Sequence, residues 1–141
     1  MARPDGIPQT LLLEVVTPTR MVVREEVEEV IVPGFQGYFG VLGGHLPFMS
    51  ALKIGELAYR KNGRWRHLAV SWGYAEVRPE TVIVLAEAAE RAEEIDVARA
   101  QRARDRALER MARWGEEPMD VSEVEAALTG ALTRIEVARR A

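Results

Sequence analysis

The sequence predicts a chain in two parts, a β-sandwich or flattened barrel followed by an antiparallel pair of helices, and three observations carry that prediction. Up to about residue 86, short apolar runs of period two are separated by turn signals at regular intervals. From Ala86 onward alanine, glutamate and arginine dominate, with Pro118 the one proline. With 141 residues, 48% of them hydrophobic, there is material for one real core and a smaller appendage.

Residues 10–16, TLLLEVV, place Leu11, Leu13 and Val15 on one face as a first strand, ended by Thr17-Pro18. Met21–Val23 is a second short strand. EEVEEVIVP gives a third, in which Val30 and Val32 oppose Ile31. Glu25, Glu26, Glu28 and Glu29 crowd its start and are expected to form a solvated edge blunted by like charge.

Pro33 to Pro47 puts five glycines between two prolines and still carries Phe35, Tyr38, Phe39, Val41, Leu42 and Leu46. Glycine permits close backbone approach while the apolar residues need a surface, so the segment is expected to be a tightly folded surface turn with His45 near its tip. Phe48–Ile54 resumes an apolar pattern. Asn62-Gly63 then supplies the two residues that take positive φ in a type I′ hairpin, with Leu57 and Tyr59 before it and Trp65, His67 and Ala69 after it. His67 is expected to be packed or hydrogen-bonded within the returning strand. A second hairpin joins Tyr74–Val77 to Val82–Leu85 through Arg78-Pro79-Glu80-Thr81, where the proline suits a turn.

In the helical part, Asp96 is an N-cap, and the helix to Trp114 aligns Val97, Ala100, Ala103, Ala107, Met111 and Trp114. Gly115 and Pro118 interrupt it. Asp120 with Glu123 three residues on forms a capping box, and Val124, Ala127, Leu128, Ala131, Ile135 and Ala138 make the second stripe. The alanine-rich seam buries few large side chains, so such a hairpin is able to undock. The first helix carries six arginines against three acids in a chain of net charge −3. That face either seeks an acidic partner or simply solubilises the hairpin.

Several function classes are disfavoured. The chain has no cysteine and only His45 and His67, which leaves little for a metal site, so no metal ligand is assigned. The acidic balance argues against nucleic-acid binding. No apolar run approaches the ~20 residues of a membrane span, and the start has no hydrophobic signal core, so a soluble cytosolic protein is expected. There is no phosphate loop of the GxxxxGK[ST] type, and Ser50, Ser71 and Ser122 lie in no nucleophile elbow. No catalytic residue is assigned. The residues alone lead to a small β domain with a detachable basic hairpin, a binding or regulatory module.

The runs LEVVTP, VEEVIVPGFQGYFGVLGGHLPFMSALKIGEL and IVLAEAAERAEEIDVARA together resemble the epsilon subunit of bacterial and chloroplast F-type ATP synthases, called delta in mitochondria. The resemblance spans nearly the whole chain. It implies a ten-stranded β-sandwich over residues 1–87 and a regulatory helical hairpin over residues 88–141, in the central stalk of a proton-translocating rotary complex. The subunit would be peripheral, at the cytoplasmic face of the cell membrane. It also implies a gamma subunit bound to the sandwich and a ring of c subunits met by the glycine-rich segment, here Tyr38 and His45 by position. Gly43 stands where proline is usual and Tyr38 where an acid is common, which favours an aromatic or hydrogen-bonded contact over a salt bridge. The hairpin would extend toward the alpha and beta subunits and inhibit ATP hydrolysis.

The same resemblance implies a regulatory nucleotide site, with no cofactor required otherwise. Ile95, Asp96, Arg99 and Ala100 match an I/L-D-x-x-R-A pattern through which some bacterial members bind ATP without hydrolysing it, and Glu90, Arg106 and Arg134 stand at family positions. Asp96 at a helix start is able to accept from an adenine amine, and Arg99 and Arg106 to donate charge-assisted bonds to ligand oxygens. The usual second arginine before Arg134 is replaced by Gly130. Two rival readings are a free-standing ATP-sensing module, which would lack affinity for a gamma-like partner, and a small hydrolase, which would show turnover.

Overall fold

A computed structural model describes residues 5–141. Eight strands are found among them: β1 (Leu11–Val16), β2 (Met21–Val27), β3 (Glu29–Gly34), β4 (Gly37–Leu42), β5 (Phe48–Leu52), β6 (Gly55–Lys61), β7 (Arg64–Val77) and β8 (Thr81–Arg91). A 3₁₀ turn at Ala92–Glu94 leads into α1 (Val97–Ala112) and α2 (Val121–Ala138). The strands pair in the order β2-β1-β8-β7-β5-β3-β4, with β6 joined to β3 and β7. All pairings are antiparallel except β1 with β8.

The sandwich and the two helices are as the sequence predicts, but the strands number eight and not ten. β7 accounts for one of the two, being 14 residues long and turning sharply at Trp72 and Gly73, with φ of +44° and +126°. Its first half pairs with β6 and its second half with β5, so one continuous strand serves two sets of partners. β8 runs beside both halves and continues past residue 87 to Arg91. Between the layers the period-two residues Leu11, Leu13, Val15, Val30, Val32, Leu57, Tyr59, Val82 and Val84 form one core.

Two local expectations change. Of the four glutamates Glu26 alone stays exposed and outside the described ion pairs, on the edge strand β2, whereas Glu28 and Glu29 take the Arg60 guanidinium at 3.2 and 3.4 Å and Glu25 lies 3.7 Å from Lys61. The glycine-rich segment is a hairpin more than a turn. β3 continues through Pro33 to Gly34, reverses over Phe35-Gln36, and β4 pairs back along it. At the far end Gly43 lies so close to the N-terminal segment that a Cβ would stand 2.3 Å from the Pro8 carbonyl oxygen. Only glycine fits there, which accounts physically for the residue at 43.

The Asn62-Gly63 turn has φ of +53° and +74°, as a type I′ hairpin requires. Both helix caps are formed: the Asp96 side chain accepts from Arg99 N and that of Asp120 from Glu123 N. The stripes are only partly used. Ala100 and Ala107 are buried in α1, whereas α1 stops before Trp114, which is 73% exposed. In α2 the buried residues are Val124, Ala131 and Val137. Val137 falls outside the expected stripe because α2 packs on the sandwich as well as on α1. It joins Ala69, Ala92 and Ile95 in a small second core.

Tyr59 offers a direct check on the core. Burial holds its phenol above the ordinary range, Glu25 adds to that, and Arg91 and Arg66 oppose it. The folded state thus keeps its proton to higher pH than the unfolded chain does. The neutral phenol's contribution is fully present below about pH 10 and is lost as pH rises through the folded value. Chemical denaturation at stepped alkaline pH is expected to show stability falling above about pH 10, with a shallower fall in Tyr59→Phe; identical slopes would refute the assignment.

Candidate functional site

The linker between the sandwich and the hairpin gathers chemistry that is dispersed in the sequence. Asp96 must leave the helical conformation to cap α1, and its Oδ1 accepts from Arg99 N at 3.1 Å. Arg99 and Arg106, seven residues apart, are about two turns from each other on nearly one side of α1. Between them Ala100 and Ala103 are too small to fill the surface. Arg134 of α2 faces this strip and donates from Nε to Glu90 of β8 at 2.6 Å. Glu94 of the 3₁₀ turn completes the wall. The result is a cleft of about 430 Å³ lined by Glu90, Glu94, Asp96, Arg99, Ala100, Ala103, Arg106 and Arg134.

Six of the expected residues, Glu90, Asp96, Arg99, Ala100, Arg106 and Arg134, therefore lie in one cleft. Ile95 lies beneath it, buried in the second core, so its part is to hold the linker down. Glu94 and Ala103 were missed by the sequence reading. The run of carboxylates just before the Asp96 cap was the available signal for Glu94. That side chain is fixed from outside by Arg20 of the β1–β2 connection, whose Nη2 donates to it at 2.6 Å and to the Ala89 carbonyl at 3.5 Å. The Glu94 bond raises the Arg20 pKa further above its ordinary value. Carboxylates hold Arg134 within the cleft and Arg20 outside it. Arg99 and Arg106 are exposed and stand in none of the described ion pairs, so they are the groups available to an anion. At Gly130 an added Cβ would meet open space, so its lack of a side chain is not forced by packing.

Tyr38 and His45 are not brought together. Tyr38 starts β4, where its hydroxyl accepts from Glu56 N at 3.1 Å and Lys53 Nζ sits 4.8 Å from the ring centroid. His45 lies beyond the other end of β4. Its Nδ1 carries the proton, donating to the Leu46 carbonyl at 2.8 Å, and its ring centroid is 5.1 Å from that of Phe48.

A second contact between hairpin and sandwich was not foreseen. Glu56 Oε1 accepts from Arg140 Nε at 2.7 Å and lies 2.6 Å from His67 Nδ1. The latter is proximity without hydrogen-bond alignment, since His67 Nδ1 has no hydrogen-bond partner. No group of three or more His, Asp or Glu side chains is placed to hold a metal ion among the described residues, and no helix there is long and apolar enough to cross a membrane.

Two family models match in tandem: the β-sandwich domain of the ATP synthase delta/epsilon chain over residues 10–92 and its long α-helix domain over residues 93–139. The chain is 51% identical over 129 residues to the ATP synthase epsilon chain of Nitratidesulfovibrio vulgaris, covering 92% of this chain and 96% of that one. It is 48% identical over 133 residues to that of Geotalea uraniireducens, covering 94% and 96%. The fold is also that of a chain in the cryo-EM structure of the Euglena gracilis mitochondrial ATP synthase, with a TM-score of 0.79 and 24% identity over 97% of this chain and 86% of that one. With both domains matched in order and half the residues shared with curated epsilon chains, this chain belongs to the ATP synthase delta/epsilon chain family and is a non-catalytic subunit of that complex.

Proposed function

We propose that the chain is the central-stalk subunit joining a gamma rotor to a ring of c subunits in a proton-translocating ATP synthase, peripheral at the cytoplasmic face of the membrane. Its hairpin restrains ATP hydrolysis by reaching the alpha and beta subunits, and ATP bound in the cleft retains the hairpin against the sandwich. Tyr38 and His45, at the two ends of β4, are the groups offered to the ring.

The observation that carries the nucleotide reading is the convergence of β8, the linker, α1 and α2 on one cleft containing two available arginines. A ligand there touches both parts of the chain at once. The hairpin's other attachments are slender: the Ala69, Ala92, Ile95 and Val137 core and the Arg140–Glu56 and Arg134–Glu90 bonds. Burying a valine or isoleucine is worth ~1.5 to 3 kcal/mol, and a half-exposed ion pair adds less than about 1 kcal/mol. Nucleotide at ~100 times its dissociation constant contributes ~2.7 kcal/mol, enough to decide between docked and released hairpins of similar energy.

Calorimetric titration of the full chain with ATP tests this reading. Saturable heat and a rise in melting temperature are expected, with affinity falling about tenfold or more in Arg99→Ala, as loss of a charge-assisted bond implies. No heat and no thermal shift at millimolar ATP would remove the nucleotide role.

A further inference from the structure

A second cationic hollow lies at the opposite end of the sandwich from the glycine-rich tip. The tip is fixed beyond the end of β7, where Gly44 N donates to the Pro79 carbonyl, whereas the hollow flanks the start of β7. Register places Lys61 opposite Arg64 and Tyr59 opposite Arg66 across the Asn62-Gly63 turn. Period two then directs all four to one face. Arg91 at the end of β8 and Glu25 of β2 close the sides, giving a hollow of about 590 Å³.

The charge in this hollow is unbalanced. Four cations, Lys61, Arg64, Arg66 and Arg91, surround one carboxylate, Glu25, for a lining charge of +3. Glu25 lies 3.7 Å from Lys61, a loose pairing. Arg91 is anchored by donating Nε and Nη2 to the Val22 carbonyl at 3.2 and 2.8 Å, and its Nε is 3.8 Å from Glu94. Arg64 and Arg66 are exposed and stand in none of the described ion pairs. Tyr59 is 2% exposed, so a largely buried phenol underlies the cations. Like charges directly across a strand pair, as at Lys61 and Arg64, cost stability unless an anion offsets them.

The geometry points to an anion site in this hollow, built by Lys61, Arg64, Arg66 and Arg91 and taking a phosphate group, free or within a polyphosphate chain. Guanidinium forks and an ammonium on a concave wall suit a compact, multiply charged oxyanion that accepts several bonds at once. The site shares no residue with the nucleotide cleft.

Inorganic pyrophosphate and ATP, titrated separately into the full chain and followed by amide chemical shifts and calorimetry, test the proposal. Pyrophosphate is expected to shift the amides of residues 59–66 and 91. Binding should weaken about tenfold or more in the double variant Arg64→Gln/Arg66→Gln and stay unchanged in Arg99→Ala. Both arginines are exposed, and an unchanged melting temperature checks that the fold is kept. In Arg99→Ala, ATP that shifts the same amides identifies the nucleotide's phosphate chain as an accepted source, and ATP that leaves them unmoved, beside pyrophosphate that moves them, identifies inorganic phosphate groups without a nucleoside as the source. Pyrophosphate that shows no saturable binding at millimolar concentration, or that perturbs only the cleft residues, overturns the site. Either result leaves ATP binding in the cleft to be judged separately.

Discussion

Replacing Gly73 with alanine will lower the melting temperature of the sandwich by roughly 15 °C or more. Two costs add at this position. Its φ of +126° lies where a side chain is strained, and strain of that kind costs ~1 to 3 kcal/mol. In addition, a Cβ would stand 1.9 Å from the Leu85 carbonyl oxygen and 2.9 Å from its carbon, so the β7–β8 pairing must part to admit it. That pairing carries Ala75, Val77, Val82 and Val84, all within the core. A total of ~4 kcal/mol is a large share of the ~5 to 15 kcal/mol that holds a domain together. Gly63→Ala is the control. Its φ is also positive, at +74°, but nothing lies within 4 Å of an added Cβ, so a loss of about 1 kcal/mol is expected. Thermal melts of equal midpoint for the two variants would show that the turn within β7 relaxes freely and that its geometry does not organise the sheet.

Gly73 also shows what the sequence did not disclose. The sequence divides the stretch into two hairpins, one returning through Ala69 and the next starting at Tyr74, and that the two share one strand bent at Trp72-Gly73 appears only when β5 and β6 are both seated on it. Features set by adjacent residues were legible: the caps at Asp96 and Asp120, the Asn62-Gly63 turn and the reversal at Arg78–Thr81. Features set by distant partners were not. The acidic run gave no sign that Arg60 and Lys61, some thirty residues on, would pair with three of its four glutamates, Glu25, Glu28 and Glu29. The stripe on α2 assumed one packing partner, and a helix with two partners buries Val137 as well. In the cleft, only Ile95 to Ala100 form a contiguous pattern; Glu90, Arg106 and Arg134 came from resemblance, and Glu94 from neither. A site assembled from a strand end, a linker and two helices has no single period by which to find it.

Ending the chain after Ala92 is expected to raise ATP hydrolysis by the assembled complex about fivefold or more, the lower range of typical coupling between sites. The position of the cut matters. β8 pairs with β7 through Arg91, and Ala89 belongs to the main core, so a cut near residue 87 would damage the sandwich itself. After Ala92 the sandwich residues that lose Ile95 and Val137 as core neighbours are the small Ala69 and Ala92, and the sandwich keeps all eight strands. Assembly with the rest of the complex should survive, which makes any gain in hydrolysis attributable to the missing helices. The arginines of α1 then separate two origins of the restraint. Arg99, Arg102, Arg106 and Arg110 are exposed and stand in none of the described ion pairs, so contact through them weakens with ionic strength on the scale of a ~10 Å screening length at ~0.1 M salt. Restraint by the intact hairpin should accordingly fade as salt rises, and hydrolysis by the intact complex should approach that of the truncated one. A gap between the two that is independent of salt would assign the restraint to packing of the hairpin, and equal rates at every salt concentration would show that the hairpin exerts none.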